Sequence, residues 1–165
     1  MLDANVFIQA HQSHYAFDIC PGFWDVLVRQ HEAKRVCSID KVRDELLGCK
    51  DVLSRWASEQ TPDAFFAGTA DKAVVEVFRR MANWIHNEDR FAPEEKAKFA
   101  SVAADGWLVA FAKVNNLVVV TQEEPVPDNS TKIKIPNVCR KFDVSRCDTF
   151  EMLRDLGEQF VRRKR

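Results

Sequence analysis

The run Leu117-Val-Val-Val-Thr121 constrains the fold more than any other stretch of the chain. It is almost wholly apolar and β-branched, which suits a strand covered on both faces. Such strands belong to parallel sheets flanked by helices. The segment ahead of it, Pro93 to Asn116, carries Pro in its first turn and ends on an Asn pair. It reads as a helix that breaks near Ser101.

The rest of the chain alternates in the same way. A short apolar strand from Leu2 runs out at Asp3 and Asn5, and Val6 to Gln12 turns into a helix. Phe23, Trp24, Leu27 and Val28 carry helical spacing after Pro21-Gly22. Arg35 to Ile39 reads as a second strand. Ser38 or Asp40 then caps a helix that Gly48 ends. Residues 51–59 and 71–86 are amphipathic helices separated by a loop with Pro62 and Gly68. Lys132 to Ile135 alternates as a further strand, and residues 148–157 form a last helix capped by Asp148 or Thr149. Strands alternating with helices predict one α/β/α domain on a parallel sheet.

Its 165 residues, 46% hydrophobic, suffice for one core. A net charge of −1 excludes a globally basic nucleic-acid binder, so any such binding must come from a local patch. The first residues lack a basic-then-apolar leader, and no apolar run approaches the roughly 18 residues of a membrane span. A cytoplasmic protein is expected. Five cysteines without a CxxC pair read as buried thiols rather than a disulfide or zinc framework. His11 and His14 lack further zinc ligands nearby and read as surface or RNA-facing histidines.

In α/β sheets, sites form beyond the carboxyl ends of the strands. Asp3 ends the first strand, Glu45 lies in the helix after the second, Asp105 opens an apolar helix, and Glu123 follows Leu117–Thr121. Taken singly, each has an ordinary explanation: a cap, an exposed helix residue, a helix start, an acidic turn. Taken in order, they predict four carboxylates at one edge. At about 6 Å separation and an effective dielectric near 20, each pair repels by roughly 3 kcal/mol. Such a cluster takes up protons or a divalent cation, and oxygen donors alone select Mg²⁺ or Mn²⁺. Those ions serve phosphoryl chemistry.

The succession LDANVFI, SIDKVRDELLG and ADGWLVAFAKVNNLVVVTQE resembles the PIN domain, from Met1 to about Phe142. The stretch IPNVCRKF is similar to a bacterial PIN-like subfamily related to VapC-type toxins. The resemblance implies a three-layer α/β/α sandwich with a central, mostly parallel sheet, in a single domain over residues 1–165. Residues 51–93 would be a helical insertion that recognises RNA or a partner, and 158–165 a basic tail. It implies a metal-dependent endoribonuclease, the toxin of a toxin–antitoxin module, with an antitoxin encoded nearby and a second copy of the chain as partners. Asp3, Glu45, Asp105 and Glu123 would be catalytic and metal-binding, with Asp44 and Glu124 as alternates. Asn5, Ser38 and Thr121 would orient the carboxylates and their waters. Arg35, Lys41, Arg43 and the RRKR end would meet phosphates, and Trp56 or Trp84 either stack bases or fill the core. The competing readings are a non-catalytic PIN-fold binding module and a related DNA nuclease. A phosphatase would want an Asp-x-Asp pair, absent at Asp3-Ala4-Asn5.

Overall fold

The computed structural model describes residues 1–101 and 104–160. The RRKR end lies outside them. The described chain is a mixed α/β structure with two small parallel sheets. In one, β1 (Ser38–Ile39) pairs with β2 (Phe66–Ala67); in the other, β3 (Val119–Val120) pairs with β4 (Arg146–Cys147). The opening residues join the two. Leu2 N–H donates to the Cys37 carbonyl at 2.8 Å, while Asp3 N–H donates to Val120 O at 3.0 Å and Val120 N–H to Met1 O at 2.8 Å. Ser38 Oγ, buried, donates to Leu2 O at 2.6 Å from the β1 side.

Helices α1 (Ala4–Gln12), α2 (Pro21–Glu32), α3 (Asp40–Gly48), α4 (Val52–Glu59) and α5 (Lys72–Asn87) come in chain order. They are followed by α6 (Pro93–Ala100), α7 (Ala104–Asn115), α8 (Ile135–Lys141) and α9 (Thr149–Asp155). Several ends follow directly from sequence chemistry. Asp51 and Asp71 accept backbone N–H groups at the starts of α4 and α5. Asp148 and Glu151 form a reciprocal capping box on α9. The long apolar segment does break at Ser101. Among the described residues, no helix is long and apolar enough to cross a membrane.

Other expectations are corrected. Neither Ser38 nor Asp40 caps α3: the cap position is Ile39, and the Asp40 carboxylate instead accepts from Thr69 N–H and Thr69 Oγ1. Lys132–Ile135 is not a strand. Ile133 N–H goes to Glu95 Oε2 and Ile135 N–H to Glu123 Oε2, so side-chain carboxylates take the place of a neighbouring strand. Residues 51–93, expected as a helical insertion, are largely helical and also pack into the core. They supply β2 and bury Trp56, Phe65, Val74, Met81 and Ile85. Trp56 is 1% exposed, edge-on to Trp24 with 4.9 Å between ring centroids, so it is core and not a base platform. Of the five free cysteines only Cys139 is buried, and Cys49 is exposed.

The start of α7 is set by a close approach. A Cβ at Gly106 would lie 2.6 Å from the Phe99 ring and 2.8 Å from that of Phe78, and Phe78 stacks on Trp107 at 4.0 Å. Only a glycine lets these rings close over the helix that carries Asp105. Gly106→Ala gains about 1 kcal/mol of helix propensity but overpacks a ring cluster, which costs about 1–3 kcal/mol. A net loss of up to about 2 kcal/mol is expected in urea unfolding. Ser38→Ala, which leaves the Leu2 carbonyl without its hydroxyl donor, should lose about 1–2 kcal/mol in the same assay.

Candidate active site

Three of the four ordered acids, Glu45, Asp105 and Glu123, line one cleft of about 420 Å³ together with Asn5, Lys41, Asp44, Lys98 and Ala104. The fourth, Asp3, is buried beside them at 1% exposure. Its position follows from the backbone bonds above: the chain leaves the sheet at Asp3 and turns at once into α1. Although Asp3 occupies the cap position of α1, its side chain makes no capping bond there. Thr121 Oγ1 donates to Asp3 Oδ2 at 2.8 Å and accepts from Glu123 N–H at 3.2 Å. One hydroxyl therefore orients two of the acids. Asp3 Oδ1 is buried without a hydrogen-bond partner among the described residues.

A buried, half-satisfied carboxylate is costly to ionise. Burial pushes the Asp3 carboxyl up to about 7, with further upward pressure from the charges of Asp105, Glu123 and Glu45 that the Thr121 hydrogen bond only partly offsets. Asp105 is raised by burial and then by Glu123, against the lowering influence of Lys98 and Lys134. Glu45, at the open rim, is raised by partial desolvation and by Asp105, and lowered by Lys98. Electrostatics thus couples four segments far apart in sequence.

Glu123 differs from the others. Lys134 Nζ donates to its Oε1 at 2.6 Å and Ile135 N–H to its Oε2 at 2.8 Å. Among the described residues, no three Asp, Glu, His or Cys side chains are drawn together closely enough to form a ready-made metal cage. The donor set nevertheless suits a hard divalent cation. It is all oxygen, it includes a buried carboxylate oxygen with no hydrogen-bond partner, and its charges raise one another's proton affinity. Asp3, Glu45 and Asp105 are the residues that would hold such an ion.

The expected alternates and helpers separate cleanly. Asp44 lines the cleft, but Glu45 is the one whose charge acts on Asp3; one position on a helix turns about 100°. Glu124 is exposed and does not line the cleft. Asn5 lines it, two residues after Asp3. Ser38 is corrected: its hydroxyl holds the Leu2 carbonyl and touches no carboxylate, so it positions the strand end that delivers Asp3. Lys41 lines the cleft. Arg35 does not; its guanidinium donates to the Asp155 and Leu156 carbonyls at the end of α9. Arg43 lies 4.0 Å from Asp63 and over the Phe66 ring, also away from the cleft. His11 lies 3.8 Å from Asp51 and packs on Phe17. Trp84 is half-buried, with its Nε1 bound to Glu88.

Sequence reasoning missed Lys98 and Lys134. Lys98 sits in a charged helix that reads as a solvated face, and Lys134 in an alternation that reads as a strand. The only available signal was the run of acids itself, which demands compensating cations somewhere. A larger cavity, about 810 Å³, lies at a different place, along Val36, Cys37, Leu117 and Leu156. None of the four acids lines it, and its mostly apolar walls offer no convergent chemistry.

The raised Asp3 carboxyl fixes a pH dependence. The folded form binds its proton up to about pH 7, whereas the unfolded chain releases it near the ordinary value of 3.8. Stability from this group is complete below the unfolded value and is lost as pH rises through the folded one. Asp3→Asn removes that loss and keeps an acceptor for Thr121. Without divalent cations, the variant should match the parent below about pH 4 and exceed it increasingly up to about pH 7, by at most about 4 kcal/mol. Urea unfolding in EDTA at pH 4, 6 and 8 measures the difference; a gain that is flat across pH would contradict it.

No curated protein and no solved structure shows significant similarity to the chain. One family model matches residues 1–160, nearly the whole sequence. The chain belongs to the family described as Domain of unknown function (DUF4411).

Proposed function

We propose that the chain is a metal-dependent endoribonuclease of the PIN type. The observation that carries this reading is the buried Asp3 carboxylate, with one oxygen on Thr121 and the other unpartnered, beside Glu45, Asp105 and Glu123. On this reading, β2, β1, the Met1–Asp3 segment, β3 and β4 form the central parallel sheet of a three-layer sandwich. The hydrogen bonds on both sides of Leu2 and Asp3 support that arrangement. Its carboxyl end is where α/β sheets carry their sites.

Mg²⁺ or Mn²⁺, when bound, polarises the phosphate and activates water. The chain's own residues do the rest. Asp3, Glu45 and Asp105 hold the ion, and Thr121 keeps Asp3 turned so that its free oxygen is available. Lys41 and Lys98, on the walls of the cleft, attract the phosphodiester of an unpaired strand. The resemblance to VapC-type toxins supports a place in a cytoplasmic toxin–antitoxin module, with a neighbouring antitoxin, and a second copy of the chain, as partners.

Purified protein with a single-stranded RNA and Mn²⁺ should give cleavage that excess EDTA abolishes. Asp105→Asn, which removes one charge from the site while keeping its shape, should reduce the rate by about a hundredfold or more. Cleavage undiminished in EDTA, or equal cleavage of a single-stranded DNA of the same sequence, would overturn the reading.

A further inference from the structure

Glu123 is the one acid of the four that already has a cation. Both of its oxygens are engaged, one by the Lys134 ammonium and the other by the Ile135 N–H. The carboxylate is half-buried, with its side chain 13% exposed, so this ion pair is partly shielded from solvent. Lys134 is not a loose surface lysine. Its backbone is anchored on both sides, Ile133 N–H on Glu95 and Ile135 N–H on Glu123, and its ammonium faces Glu123, Asp105 and Glu95. A divalent ion on Glu123 would have to sit against that ammonium, and the two would repel strongly at this range.

This arrangement divides the cluster. Among the described residues no lysine is hydrogen-bonded to Asp3, Glu45 or Asp105, whereas Glu123 is committed. Enzymes that cleave phosphodiesters often place two positive centres about the phosphate, one for the attacking side and one for the leaving side. A fixed lysine supplies such a charge without a second metal. Resting on the nuclease reading, we propose that the site binds one divalent cation, on Asp3, Glu45 and Asp105, and that the Lys134 ammonium, paired to Glu123 at the cleft wall, stands where a second ion would otherwise sit. Glu123 is then a positioning residue and not a metal ligand.

Mn²⁺ uptake, followed by electron paramagnetic resonance of the free ion, tests the assignment without reference to activity. The parent protein should bind one ion. Glu123→Gln should bind one ion with an affinity changed by less than about threefold, while Asp105→Asn should weaken uptake by at least about thirtyfold. Lys134→Met leaves the Glu123 carboxylate without its ammonium and should admit a second ion at millimolar Mn²⁺. Thermal melts in EDTA confirm that each variant is folded. Two ions on the parent, a Glu123→Gln loss as large as that of Asp105→Asn, or a single ion on Lys134→Met would overturn the proposal and leave the nuclease reading standing. No uptake by the parent would overturn both.

Discussion

Everything in the cleft depends on three residues of extended chain. Met1, Leu2 and Asp3 are bonded to β3 on one side, and Leu2 is bonded to the Cys37 carbonyl and the Ser38 hydroxyl on the other. With both edges taken, the segment has no freedom to shift along the sheet, because a slip by one residue would turn Leu2 outward and Asp3 into the core. Leu2 is wholly buried and Asp3 nearly so. The register that satisfies the leucine is therefore the register that points the carboxylate at Thr121. The hydrophobic requirement and the chemical one are met by the same alternation.

Opposite that segment, α7 is placed by aromatic packing. Phe78, Phe99 and Trp107 close around Gly106, and the residue before it is Asp105. The core thus sets where the half-buried Asp105 stands. Glu45 comes from the flank of α3 beside its buried stripe, where Val42 and Leu46 lie one helical turn apart. Glu123 comes last, through the two hydrogen bonds that the Thr121 hydroxyl makes. Each acid arrives on a different element, and no two share a local motif.

The acids were legible in the sequence because a carboxylate next to an apolar run has few inexpensive explanations, and because their order follows the ends of the elements. The helices were legible from caps and spacing, as Asp51, Asp71 and Asp148 illustrate. The strands β2 and β4 were not, since Phe66–Ala67 and Arg146–Cys147 lie in no β-branched apolar run of the kind that marks Leu117–Thr121. Ser38 was assigned to the carboxylates because a hydroxyl's acceptor depends on a neighbour 36 residues away, the Leu2 carbonyl. Lys132–Ile135 alternates like a strand, but alternation reports which side chains share a face and not what receives the N–H groups. Those partners, Glu95 and Glu123, lie in different elements.

The Thr121–Asp3 hydrogen bond closes a loop of 118 residues. Contacts of that span form late, because the chain must first lose the freedom of everything between them. During synthesis the amino-terminal carboxylate emerges first and waits for most of the domain before its hydroxyl partner exists, and longer still for Lys134. A complete but partly folded chain carries the acids but not the site. Whatever the cleft does is therefore withheld until the topology is complete.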